Sequence, residues 1–183
     1  MDILKFTNFL VVSPFADGNY WYLVETLRYD IRNTGNRIIV PKGFVTDFAS
    51  IPRPIWSILP KWAEYGTASV VHDYLYWTQQ CRRKQADRIF LAAMIDSGVS
   101  NWKCWAVYLA VRSFGYFSYK ANKNLRKQAH IRVMREEDLP HLRDDIDPHV
   151  KWENYRKELT REAELPDRRS LPASSARLRR GRR

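Results

Sequence analysis

One stretch constrains the fold of this 183-residue chain more than any other. Between Trp62 and Gln79, apolar side chains occupy more than one helical face: Ala68, Val71, Leu75 and Tyr76 on one, Val70, Tyr74 and Trp77 on another. A helix that is apolar all round has to be surrounded, so it belongs at the centre of a domain. Yet the same stretch carries His72 and Asp73 side by side. Desolvating an imidazole and a carboxylate is costly, so each requires polar partners in the finished fold. His72 and Tyr76 stand four apart and share a face, and Asp73 lies about 100° around the same helix.

What surrounds that helix can be read from the remaining pattern. Tyr20 to Tyr29 and Arg37 to Val40 are rich in aromatic and β-branched residues. Between them Asn33-Thr34-Gly35-Asn36 marks a hairpin, because Asn and Gly accept positive φ cheaply. Leu10 to Ser13 adds a candidate strand, Pro41-Lys42-Gly43 closes the sheet, and Phe44 to Arg53 follows as a structured loop. Pro52, Pro54 and Pro60 forbid a regular helix before the central one.

After it, Gln79 to Lys84 is a polar connection. A second helix over Gln85–Ser97 places Ala86, Ile89, Phe90, Ala93 and Met94 on one stripe, with Gly98 as its stop. A third starts after Ser100 or Asn101, either a good N-cap, and carries Trp102, Trp105, Val107, Tyr108, Leu109, Val111 and Phe114. It reads either as a core helix or as a surface patch for a membrane or a partner protein. Beyond Lys120 the chain is more charged. Asp138 to Pro148 is irregular, and Trp152, Tyr155 and Leu159 mark an amphipathic helix that packs on the body or on another subunit.

The expectation is therefore an α+β fold. A small N-terminal antiparallel sheet packs on a three-helix core over residues 1–120, a charged extension with an amphipathic helix covers 121–165, and a flexible arginine-rich tail covers 166–183. Charge follows that division. The chain is +11 overall, but the tail sets seven arginines against Asp167 alone, a net of +6, which leaves the body at +5. Such a tail suits an acidic partner, packaged DNA or neighbouring subunits, through Arg177, Arg179, Arg180, Arg182 and Arg183. Cys81 and Cys104 are too few for a disulfide framework and have no metal spacing, which suits a reducing cytosol. Met1 to Phe6 lacks the basic start and apolar run of a signal peptide. No stretch reaches the roughly 18 apolar residues of a membrane span.

Chemistry concentrates around His72. Asp87 sits on the edge of the second helix's apolar stripe, and a short connection favours antiparallel helices, which brings Asp87 across from His72 or Tyr76. A carboxylate there fixes the imidazole tautomer and leaves the other ring nitrogen as a general base. Asp73 would hold a cation, calcium or magnesium, with Asp47 or carbonyls of the Gly43–Ser50 loop. The same residues also read as structure. Asp87 complements a helix dipole, Asp47 makes an Asx-turn, and His72 with Asp73 forms a buried network locking sheet to helices. His130, His141 and His149 sit in charged segments and read as solvated. Ser50 lacks a nucleophile elbow, and no phosphate loop or dinucleotide fingerprint occurs.

Two resemblances follow from these residues. His72-Asp73-x-x-Tyr76 with Ala86-Asp87-x-x-Phe90 resembles the helix pair of phospholipases A2, especially the disulfide-free viral type. That likeness implies His72 as base, Asp73 as calcium ligand and Asp87 as the carboxylate behind the histidine. Where that family has a glycine-rich calcium loop, Gly43 is the single glycine between Lys42 and Glu64. The broader run from Val40-Pro41-Lys42-Gly43-Phe44-Val45-Thr46-Asp47 through His72-Asp73-x-Leu75-Tyr76 to Asp87-x-x-Phe90 is similar to the phage- and prophage-associated domain of unknown function 1353. It implies a phage gene product and brings no activity with it.

Two functions are consistent with this. One is a non-catalytic virion or assembly protein, in the tail or neck region, with other phage proteins or DNA as partners and an oligomer as its form, located in the virion or the host cytoplasm. The other is a metal-assisted hydrolase with His72, Asp87 and Tyr76 as its catalytic group. They are separated by whether the cluster is sealed or open.

Overall fold

In the computed structural model, which describes residues 6–32, 34–48, 65–142, 146–147 and 149–164, the apolar helix lies at the centre. Helix α1 (Gly66–Thr78) buries Ala68 through Asp73 and Leu75 through Trp77. The part of this helix expected over Trp62–Glu64, and the loop beyond Phe48 that includes Ser50, lie outside the described residues. Gln79 ends the helix in the left-handed conformation at φ 53°, returning its N–H to the Leu75 carbonyl at 2.9 Å. The Arg126 guanidinium closes the same end by donating to the Trp77 and Thr78 carbonyls, satisfying orphan acceptors of the last turn.

Helix α2 (Arg83–Asp96) and helix α3 (Asn101–Lys127) pack on α1 and on each other. As expected, Gly98 takes positive φ (83°) just beyond α2, and the Val99 N–H returns to the Met94 carbonyl at 3.1 Å. Ser100 holds the N-cap position of α3, but its side chain makes no capping bond, so its cap role is not filled as the sequence suggested. Helix α3 is 27 residues long and runs through residue 120, where the sequence suggested a change of character.

The β-structure is N-terminal and antiparallel, as expected for this α+β fold, but it forms two small sheets rather than one. Tyr20–Tyr29 breaks at Val24-Glu25-Thr26 into β2 (Trp21–Leu23) and β3 (Leu27–Asp30), which enter different sheets. The hairpin is β3 with β4 (Arg37–Val40), in register Leu27 opposite Val40 and Asp30 opposite Arg37. A second antiparallel sheet has the order β1 (Val12–Pro14), β2, β5 (Val45–Thr46). The sheet was expected to close at Gly43. The chain instead turns there and returns as β5 beside β2.

Strand β2 shows why both faces of this sheet are covered. Side chains alternate along a strand, so Trp21 and Leu23 enter the core with α1, α2 and α3, while Tyr22 enters a second core. That second core holds Phe15, Val45, Met134, Leu139 and the buried stripe Trp152, Tyr155 and Leu159 of helix α4 (Trp152–Glu164). The amphipathic helix therefore packs on the body of its own chain. The segment from 138 to 148, read as irregular, carries the short 3-10 turn Pro140–Leu142, and another, Glu136–Asp138, leads into it. In this part of the fold the Tyr155 hydroxyl donates to the Asp138 carbonyl at 2.5 Å. No helix among the described residues is long and apolar enough to cross a membrane.

Candidate functional site

Three helices meet at one carboxylate. Asp87 lies on the second turn of α2 and is fully buried. From α1, the His72 imidazole contributes Nε2 to Asp87 Oδ1 at 3.1 Å, and the Tyr76 hydroxyl donates to the same oxygen at 2.6 Å. From α3, Arg112 donates to Oδ2 at 2.7 Å, and Arg83, one turn earlier on α2, approaches Oδ2 at 3.4 Å. Both oxygens are thus occupied, and a buried carboxylate is neutralised by two guanidinium groups that keep one edge in water. Room for this exists because Gly115 has no side chain: a β-carbon there would stand 2.5 Å from the Tyr76 hydroxyl.

The electrostatics follow from this enclosure. Burial works to raise the Asp87 carboxyl, and the hydrogen bonds from His72, Tyr76 and Arg112 outweigh it, holding the group below its ordinary range. Burial also pushes the His72 imidazole down, more than the neighbouring carboxylate lifts it. Tyr76 is pushed up by burial and by Asp87. His72 is therefore neutral, with its proton on Nε2 facing Asp87. Its Nδ1 is buried and finds no hydrogen-bond partner among the described residues, as does Ser69 Oγ three residues earlier. The ring is held between Tyr76 (centroids 4.0 Å) and Phe90 (4.6 Å). None of the side chain is exposed.

The residues read as metal ligands lie elsewhere. Asp73, on the next face of α1, is 6% exposed and accepts the Thr46 hydroxyl at 2.6 Å. Thr46 Oγ1 in turn accepts the Phe48 N–H at 3.2 Å, so this threonine ties the loop after β5. Asp47 faces Arg132 at 3.3 Å. Both carboxylates line a cleft of about 250 Å³, walled by Tyr20, Tyr76, Trp77 and Trp152 and bordered by Arg132 and Arg156. His130 and Glu153 also line the cleft, but among the described residues no three histidine, cysteine or carboxylate side chains form a group able to hold a metal ion. The carbonyls of Ala49 and Ser50, also considered as ligands, lie outside the described residues, as do the arginines from Arg177 to Arg183.

Residues 21–111 match the family described as Protein of unknown function (DUF1353). That segment belongs to it. The DUF1353 segment contains Asp47, His72, Asp73, Tyr76, Arg83 and Asp87, and ends one residue before Arg112. The basic groups that border the cleft, Arg132 and Arg156, come from beyond it. The uncharacterized protein y4jT of Sinorhizobium fredii (strain NBRC 101917 / NGR234) is 41% identical over 78 residues, 42% of this chain and 23% of that protein. The chain thus spans about a quarter of that relative's length. No solved structure matches the chain.

Sequence reasoning located His72, Tyr76 and Asp87 and missed both arginines. Arg83 had a signal, four residues before Asp87 on the same helix. So did Arg112, the single charged residue between Lys103 and Lys120 in an otherwise apolar stretch. Neither His130 nor His141 is simply solvated: His130 lines the cleft, and His141 Nδ1 lies 3.1 Å from the Tyr22 hydroxyl with the rings stacked.

The buried imidazole makes folding pH-dependent. The folded state refuses a proton that the unfolded chain accepts below His72's ordinary value near 6.5. Stability is therefore full above that value and falls as pH drops towards the folded value, by at most about 1.4 kcal/mol per pH unit for one proton. Asp87, whose folded value is lowered, adds a second loss below about 4. Urea titrations of the wild type and His72→Gln between pH 7.5 and about 5 should show this slope in the first and its loss in the second.

Proposed function

We propose that this chain is a non-catalytic structural or assembly component of a phage particle, and that its His–Asp cluster is a lock between three helices. The observation that carries this is the enclosure of Asp87, whose two oxygens meet four donors while His72 has no exposed surface. A general base must reach the proton it removes, and this imidazole has no exposed surface. A saturated network of this kind fixes one packing of α1, α2 and α3. The likeness of residues 40–90 to a phage-associated family supports the particle setting, and the arginine tail supplies cations for neighbouring subunits or DNA. The test is to purify particles from a lysate by density gradient and quantify the full chain in them. A fixed stoichiometry in particles or assembly intermediates is expected, and absence from both sinks the reading.

A second reading rests on one specific observation, the unpartnered Nδ1 of His72. A buried ring nitrogen without a partner costs about 1–3 kcal/mol, and a lone pair held behind a carboxylate-fixed tautomer is what a metal-assisted hydrolase would use, with Asp73 and Asp47 towards calcium or magnesium. Phospholipid hydrolysis by the wild type with either ion, lost in His72→Ala, would replace the first reading with this one.

A further inference from the structure

Helix α3 has one face in the core and another in water. Cys104, Val107, Ala110 and Val111 are buried, whereas Trp102, Trp105, Leu109, Phe114, Tyr116 and Phe117 are exposed, from 52% for Trp105 to 74% for Phe117. Trp102, Trp105, Leu109 and Tyr116 follow one another at steps of three, four and seven residues, which places them along one flank of the helix with Ser113 in the turn before Tyr116. Scattered apolar residues on a surface are ordinary, but large apolar side chains gathered on one flank of a helix mark an interaction site.

Charge selects the occupant. From Asn101 to Lys127 the helix carries Lys103, Arg112, Lys120, Lys123, Arg126 and Lys127 and no acidic residue. Arg112 reaches inward to Asp87, and Arg126 is engaged at the end of α1. Lys120, Lys123 and Lys127 are exposed. We propose that the outer face of α3 lies on an anionic lipid surface, its exposed aromatic side chains among the headgroups and its lysines on the phosphates. Tryptophan and tyrosine favour that interface, a basic amphipathic helix lies in its plane, and each lysine near an anionic leaflet adds to the attraction. A second copy of the chain is a poor occupant, because two α3 faces would bring lysines together with no carboxylate on either helix. The arginine tail is cationic and fits no better. Protein interfaces are depleted in lysine, while a lipid surface attracts it. This inference is independent of the assembly reading.

The test uses the full chain with vesicles of phosphatidylglycerol and phosphatidylcholine, and with phosphatidylcholine alone, followed by co-sedimentation at low and high salt. The wild type should sediment with the anionic vesicles. Trp102→Ser/Trp105→Ser/Leu109→Ser changes only exposed positions, so its thermal midpoint should be unchanged while its partition falls roughly tenfold or more. Lys120→Gln/Lys123→Gln/Lys127→Gln should weaken binding and flatten its salt dependence. Equal sedimentation of the wild type and the aromatic variant would assign any binding to the tail and overturn the proposal. So would an absence of vesicle binding, or a solution dimer that the aromatic variant dissolves.

Discussion

Asp87→Ala is expected to destabilise the protein by about 3–5 kcal/mol, the range for removing one partner from a buried, hydrogen-bonded ion cluster. For a chain of this length that is on the order of 10 °C in thermal midpoint. The reason is the number of groups left behind. His72 Nε2 and the Tyr76 hydroxyl lose their acceptor inside the core, and Arg112 and Arg83 lose the charge that drew them inward. The two arginines keep contact with water, with side chains 28% and 21% exposed, and can relax; the imidazole and phenol cannot. Asp87→Asn separates these contributions. Its amide oxygen can still accept from His72 and Tyr76, but its amide nitrogen opposes the Arg112 donor, so a smaller loss of roughly 2 kcal/mol is expected. Urea denaturation with an unchanged m-value would show that the folded state is the one affected. A loss below about 1 kcal/mol for Asp87→Ala would mean that the cluster does not lock the helices.

That network also shows how far the sequence could be read. The all-round apolar pattern of α1 placed it at the centre, and the cost of burying His72 demanded a carboxylate, which Asp87 supplies fifteen residues later. These are local arguments, and they held because helical periodicity decides which side chains face inward. Arg112 comes from α3, and its meeting with Asp87 depends on how three helices cross, which no spacing encodes. The antiparallel β-structure was legible, but its division into two sheets was not, for a related reason. Tyr20–Tyr29 is β-prone throughout, and nothing in its composition says that the chain must break at Val24-Glu25-Thr26 and change sheets. All three residues of β2 are buried because α4, more than a hundred residues later, covers its far side. The cleft has the same origin: Asp47 and Asp73 were legible as polar outliers, whereas Arg132 and Arg156 arrive with the extension.

The residue that lets the extension close on the sheet is Gly43, and Gly43→Ala is the second substitution of large effect. Gly43 donates its N–H to the Leu23 carbonyl at 2.8 Å and accepts the Met134 N–H at 3.0 Å, so it stands between β2 and the segment leading to α4. Its φ is +79°, and a β-carbon there would lie 2.4 Å from the Met134 carbonyl oxygen, a backbone atom that cannot rotate away. The left-handed conformation costs a non-glycine residue about 1–2 kcal/mol, and forcing the backbones apart costs about 1–3 kcal/mol more. The expected total is roughly 2–5 kcal/mol. Gly35→Ala is the control: its φ is +68°, but nothing among the described residues lies within 4 Å, so only the conformational cost of about 1–2 kcal/mol applies. The excess of the first variant over the second measures the close approach itself. Amide exchange should locate it, with Gly43→Ala accelerating exchange at Met134 and Val45, whose N–H groups bond across this seam, and Gly35→Ala leaving both protected. Equal losses in the two variants, or unchanged protection at Met134, would show that the seam can widen without cost and that the extension is held by α4 alone.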